Sequence, residues 1–223
     1  MTGRSRNNFR RAIGTLINFA VSRGYLVKGT VEIEDVAQAR EENGEIEIFR
    51  PEEMAAVLKM ADKRLIPFLA IGAFAGLRHA ELQRLDWAEV RMEDGFIEVK
   101  ANKAKTASRR LVPIQDNLKR WLKPHRKASG HICDYVNTSN QIDKLAARVD
   151  AKLKKKDPTA AFTWKRNAMR HSYISYRLAE TQDVVKVSLE AGNSPQMIFQ
   201  HYCELVRPED AKSWFAIMPK GKG

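Results

Sequence analysis

A mainly helical fold with one small antiparallel sheet, an α+β arrangement, is what this sequence predicts. Apolar residues recur every three or four positions through most of its 223 residues. One stretch, 90–114, alternates instead, and Gly or Pro punctuates the ends of the periodic segments.

Residues 5–24 read as a helix, with Phe9, Ile13, Leu16, Ile17 and Ala20 at helical spacing and Gly24 as the stop. One helix cannot bury its own apolar face, so residues 1–27 read as the tail of a preceding domain. The polar, acidic stretch 28–47 reads as a linker, and a compact domain occupies 48–223. It opens at "FRPEEMAAVLKMA", where Pro51 and the pair Glu52 and Glu53 suit a first helical turn. "RLIPFLAIGAFAG" is almost wholly apolar, hence a buried helix closed by Gly76, and another helix begins at "RHAELQRLDW". In "VRMEDGFIEVKANKAKTASRRLVPI" the alternation, the Asp94–Gly95 turn and a basic polar tip predict two or three antiparallel strands. Helical periodicity returns in "DNLKRWLKPHRKA" and at about 139–155, 167–179, 182–191 and 195–205.

The formal net charge is +12, from 39 Lys and Arg against 27 Asp and Glu. A surplus of that size favours a polyanionic partner, nucleic acid or an anionic membrane. No basic amphipathic helix carries an aromatic face and no apolar run nears the roughly 20 residues that span a bilayer, which argues against the membrane. Cys133 and Cys203 lack metal-ligand spacing and suit a reducing cytoplasm. No Gly-rich nucleotide signature is present.

Four separated stretches carry suggestive chemistry: "AGLRHAEL" with Arg78 and Glu81, "KTASRRLVPI" with Lys105, "NAMRHSY" with Arg170, and "AGNSPQMIFQHYCEL" with Tyr202. Singly, each has an ordinary reading. An arginine at a helix start pairs with a surface carboxylate, a lysine at a hairpin tip aids solubility, and a tyrosine on a short helix fills a core. Their order and spacing together resemble the motif set of the tyrosine recombinases, the phage-integrase family. The resemblance covers about residues 47–210, and "SRNNFRRAIGTLINFAVSRGYL" is similar to the last helix of the family's core-binding domain.

That resemblance implies the family's catalytic-domain fold and a site-specific recombinase or integrase of a mobile element. It would act in the cytoplasm on the nucleoid, without metal, cofactor or ATP. A tyrosine attacks a DNA phosphodiester, gives a 3′-phosphotyrosyl bond, and a 5′-hydroxyl reverses it. Arg78 and Arg170 are then the clamp on the nonbridging oxygens, Lys105 the acid for the leaving oxygen, and Tyr202 the nucleophile. A lysine before a short turn, a basic residue and "VP" marks the family's hairpin. Lys105 fits that register with Arg109, Arg110, Val112 and Pro113, and Lys103 is the alternative. Glu81 and His171 are expected to support the site, and Lys100, Lys103, Arg109, Arg110, Lys165 and Arg166 to meet DNA. The implied partner is double-stranded DNA, bound by a tetramer on recombination sites and a monomer elsewhere. The tail "AKSWFAIMPK" would dock on a neighbouring subunit or on its own domain.

Two positions depart from the family. Asn167 stands where a His or Lys precedes the second arginine, and Asn193 where a His or Trp follows the glycine before the tyrosine helix. Asparagine donates hydrogen bonds but moves no proton near neutral pH. These residues favour an alternative, a degenerate relative that binds DNA as a regulator. A type IB topoisomerase shares the chemistry, but the short chain and the recombinase-like spacing argue against it. His171 and His201 adjoin Arg170 and Tyr202, but neighbours on a helix point about 100° apart. Neither is expected to replace the residue beside it.

Overall fold

The computed structural model describes residues 1–29, 33, 35–40, 46–100, 109–203 and 205–219. The chain divides into two compact units, Met1–Glu45 and Ile46–Gly223.

In the first unit, helix α1 (Gly3–Ser22) starts where the Thr2 hydroxyl accepts from the Ser5 amide at 3.2 Å. Its apolar residues Phe9, Ile13, Leu16 and Phe19 stay exposed. The expected linker is in part tied to this helix. The Asn7 amide exchanges two hydrogen bonds with the Ala39 backbone, at 2.8 and 2.9 Å, and Arg10 Nε donates to the Val36 carbonyl.

The second unit is mostly helical with one small sheet, as the pattern predicts. Helix α2 (Pro51–Met60) has Pro at its first position, and the Glu53 carboxylate accepts from the Arg50 amide at 2.7 Å. Helix α3 (Ile66–Ala75) is buried along almost its whole length and ends at Gly76, whose φ of 63° is the left-handed closing turn. Helix α4 (His79–Arg84) leads to a short 3-10 turn at Trp87–Glu89. Strands β1 (Val90–Arg91), β2 (Phe96–Val99) and β3 (Arg110–Pro113) form an antiparallel sheet in that order. Ile97 sits opposite both Val90 and Val112, and all three are buried. Helices α5 (Asp116–Leu122), α6 (Thr138–Lys156), α7 (Ala168–Thr181), α8 (Val184–Ala191), α9 (Pro195–Tyr202) and α10 (Pro208–Phe215) complete it. Among the described residues no helix is long and apolar enough to cross a membrane.

Helix α3 is the axis of this unit, packed between α5 and α7, and α7 in turn carries α8, α9 and α10. Glycine permits the α3–α7 approach. A Cβ at Gly72 would lie 2.8 Å from Met169 Cε, and one at Gly76 would lie 2.3 Å from Tyr173 Cδ1. The flexible end of Met169 can give way at Gly72, but at left-handed Gly76 the Tyr173 ring and its Cβ leave no room, so a side chain there would force the helices apart.

The C-terminal tail docks on its own domain. Trp214 of α10 is fully buried, stacks on Tyr176 at 4.4 Å, and donates from Nε1 to the Ala73 carbonyl. The Ile217 carbonyl accepts from Trp121 Nε1. Trp214→Ala should cost about 3–5 kcal/mol, the usual loss for emptying so large a buried site. Urea denaturation checks this, and an unchanged midpoint would show that α10 is not part of the core.

Candidate active site

Arg78 is fixed by the turn that ends α3. It is the N-cap of α4, and Glu81, three residues on, accepts from its backbone amide at 2.9 Å and its Nη1 at 3.1 Å. The same carboxylate takes both terminal nitrogens of Arg110 from β3, at 3.1 and 2.6 Å. Glu81 and Arg110 are both buried, so one carboxylate locks two arginines from different elements. The other end of Arg78 reaches α8, where Nη2 donates to the Gly192 carbonyl at 2.7 Å and Asn193 Oδ1 at 2.9 Å.

Arg170, in the first turn of α7, is only 8% exposed. Its Nη1 donates to the Gly76 carbonyl at 2.7 Å, and its Nη2 to the Ala191 carbonyl at 2.6 Å and Asn193 Oδ1 at 3.0 Å. Gly76, Ala191 and Gly192 lie at the C-terminal ends of α3 and α8, where unpaired carbonyls and the helix dipole favour a cation. Gly192 is left-handed like Gly76, with φ of 64°. Burial, together with the charges of Arg78 and Arg110, pulls the Arg170 pKa below the usual arginine range, and the group still stays charged at neutral pH.

Tyr202, the last residue of α9, is 5% exposed, and its hydroxyl lies 2.7 Å from His171 Nδ1. Burial raises the Tyr202 pKa, against the pull of Arg170 and Arg78. Burial also lowers that of His171, and the neighbouring Arg170 charge adds to the effect. His171 is therefore a neutral imidazole at pH 7, against a phenol that keeps its proton.

The structure thus brings Arg78, Arg170, Asn193, Tyr202, Glu81 and His171 together. Asn167 joins them through its backbone, whose carbonyl accepts from the His171 amide at 3.0 Å. It is the exposed, left-handed residue before α7, with φ of 58°, a conformation asparagine tolerates better than most. It lines a cleft of about 420 Å³ with His79, Trp164, Arg166 and Arg170. Lys103 and Lys105 lie outside the described residues.

One of the residues expected on DNA, Arg110, is buried, and another, Lys165, is half-buried. Arg110 is buried by its bonds to Glu81 and by a further one from Nε to the Glu190 carbonyl, so it positions the site instead of meeting DNA. Lys165 donates from Nζ to the Ile48 carbonyl at 3.0 Å. Arg166 is exposed. Arg109 and Lys100 are exposed and paired with Glu98 and Glu89. The Arg109–Glu98 pair is worth about 0–1 kcal/mol, so a polyanion competes with it easily, whereas Glu89 is buried and holds Lys100 more firmly.

Sequence reasoning missed the His171–Tyr202 contact and the carbonyls that hold the arginines. The 100° between helical neighbours does keep His171 out of Arg170's place. It also turns His171 toward α9, and the apolar residues that pack α7 on α9, Tyr173 and Ile174 against Ile198, are the signal that could have shown it.

Burial alone would push the Glu81 carboxyl up, and the bonds and charges of Arg110 and Arg78 outweigh it and hold the pKa below 4.5. A carboxyl with a lower pKa folded than unfolded adds stability that is complete above the unfolded value and is lost as pH falls through the folded one. Glu81→Gln should lower stability at pH 7 by about 3–5 kcal/mol, the cost of stranding buried charge. Urea midpoints of the variant should also decline less steeply than wild type below pH 4.5. A variant with the wild-type pH slope would show that this carboxylate carries no linkage.

The sequence matches the phage integrase family over residues 47–204. Among curated proteins, none matches the chain. Solved structures do. The Tn1549 transposon integrase with a circular intermediate DNA is 19% identical with a TM-score of 0.63, over 96% of this chain and 79% of that one. A lambda integrase dimer bound to a COC′ core site is 15% identical with a TM-score of 0.65, over 92% of this chain and 75% of its own. The XerH site-specific recombinase on its palindromic difH substrate is 16% identical with a TM-score of 0.65, over 96% of this chain and 65% of that one. These likenesses are of fold. With the motif-bearing segments converging on one site and the family match covering most of the compact second unit, the chain belongs to the phage integrase family.

Proposed function

We propose that this chain cuts and rejoins DNA strands as a site-specific recombinase, through a 3′-phosphotyrosyl intermediate. The carrying observation is that Nη2 of Arg78 and Nη2 of Arg170, from distant segments, meet at one oxygen atom, Asn193 Oδ1. A site that draws two guanidinium groups to one oxygen is built for a phosphate. Each arginine spends three of its five N–H groups on the protein, which leaves the Nε–H and one Nη1–H for nonbridging oxygens. With its oxygen turned to the arginines, Asn193 presents Nδ2 as a further donor. Tyr202 is the nucleophile in this reading, and Lys105 protonates the leaving 5′-oxygen. The phosphorane's extra negative charge is met by protein donors already in place.

The wider reading follows from the chemistry. The partner is duplex DNA, as in the DNA-bound relatives, and the +12 charge favours it. Exchange between two duplexes needs four strand cuts, hence a tetramer on the recombination site and monomers elsewhere. The protein serves a mobile element and works in the cytoplasm, on the nucleoid. A second reading, a DNA-binding regulator that no longer cuts, rests on Asn167 and Asn193, neither of which can move a proton.

One assay separates the two. A nicked suicide duplex should yield a denaturant-resistant protein–DNA adduct that is lost in Tyr202→Phe and falls about 10²–10³-fold in Arg170→Ala. Tight binding without an adduct on any target would leave the regulator. A second variant tests the clamp. Asn193→Asp keeps an acceptor for both arginines but places a negative charge beside the incoming phosphate, worth about 3 kcal/mol at 5 Å and an effective dielectric of 20. DNA affinity should fall about 10²-fold by fluorescence anisotropy. Unchanged affinity would mean that the phosphate sits elsewhere.

A further inference from the structure

We infer that His171 is the proton acceptor for Tyr202, a catalytic role the chain assigns to the residue beside its clamp arginine. The inference rests on the strand-transfer reading above and adds the group that activates its nucleophile.

The geometry carries it. His171 Nδ1 and the Tyr202 hydroxyl are 2.7 Å apart, within direct proton-transfer reach, and the rings face each other at 5.8 Å between centroids, tilted by 31°. The contact joins α7 to α9, so it is set by packing between elements and not by local sequence. The two residues at the family's helper positions, Asn167 and Asn193, have no proton chemistry, and Asn193 Oδ1 already holds both arginines. His201, the helical neighbour of Tyr202, leaves α9 about 100° around the axis from it. Within the described site, His171 is the base in contact with the phenol.

The charged and titratable groups acting on His171 among the described residues are Arg170 on its own helix and Tyr202 from α9. Arg78, ahead of α4, acts on Tyr202 together with Arg170. Burial and the Arg170 charge disfavour an imidazolium before DNA arrives, which keeps Nδ1 free to accept. A bound phosphate then offsets the arginine charge as the proton moves.

The step balances. Tyr202 Oη forms its bond to phosphorus as its proton passes to Nδ1, the P–O5′ bond breaks, and O5′ takes a proton from Lys105. In the return step the 5′-hydroxyl gives its proton back to the lysine as O5′ attacks. His171 then returns its proton to the departing phenolate.

The signs fix a pH profile. His171 must be neutral, and its pKa is depressed below 6.5, so single-turnover cleavage should rise through an acid limb below that value and then level off. Without the base, Tyr202 has to ionise by itself, with a pKa raised above 10. Cleavage by His171→Gln should therefore climb about tenfold per pH unit from 7 to 9, starting about 10²–10⁴-fold below wild type at pH 7. DNA affinity should be unchanged, because the arginines are intact. A His171→Gln variant with the wild-type profile would overturn the inference while leaving the adduct, and so the strand-transfer reading, standing. A wild type that forms no adduct fails the strand-transfer reading and overturns this one with it. A readout independent of activity, and of how the variant folds, is the ¹⁵N spectrum of His171 in the wild-type protein. The inference requires unprotonated Nδ1 and a proton on Nε2 at pH 7, and the opposite tautomer would contradict it.

Discussion

Two guanidinium groups, Arg170 buried and Arg78 half-buried, converge on one oxygen, and the rest of this structure depends on that arrangement. Their Nη2 atoms are no more than about 6 Å apart, and at that distance and an effective dielectric near 20 their repulsion is about 3 kcal/mol. Something must offset it before any phosphate arrives. The Glu81 carboxylate, shared with Arg110, pairs with Arg78, the ends of α3 and α8 supply carbonyls at Gly76, Ala191 and Gly192, and Asn193 supplies the shared acceptor. Each of these is worth about 0.5–3 kcal/mol as a hydrogen bond or a helix-end interaction, so together they hold the clamp assembled. A site prepared in this way gains from a phosphate without having to reorganise.

The fold exists to deliver those groups to one place. Glycine at 76 lets α3 and α7 approach, which brings the Gly76 carbonyl to Arg170. A chain of buried ion pairs ties the remaining elements to that seam. Glu81 joins α4 to β3 through Arg110, and Arg110 reaches the Glu190 carbonyl of α8. The Glu190 carboxylate accepts from Arg177 and from the Tyr173 hydroxyl of α7. Buried pairs of this kind add little net stability over apolar packing, but they are costly to break one partner at a time. Here they fix the register of three helices and a strand around the clamp.

Much of the fold was legible because its elements carry strong local signals. The apolar run of α3 and its closing Gly76, the alternation around Asp94–Gly95, and the prolines that open α2 and α9 each state an element and an end. The clamp arginines, Glu81 and Tyr202 were legible only through the resemblance, since an arginine after a helix looks the same in sequence whether it binds carboxylate or phosphate. Arg110 shows the limit. It sits in a basic run beside Arg109, and only the β-strand alternation, which turns adjacent side chains to opposite faces, sends one to solvent and the other under the clamp. His171 shows another, because the sequence says which way a side chain leaves its helix but not which element waits there.

The central claim is that Arg78 and Arg170 act on one phosphate as a single prepared unit. The most direct measurement is the pair of guanidinium Nε–H resonances of Arg78 and Arg170 in a Tyr202→Phe protein titrated with target duplex. The account predicts that both shift together, along one saturation curve, and become protected from solvent exchange. DNA binding that saturates while either resonance stays in place would contradict it.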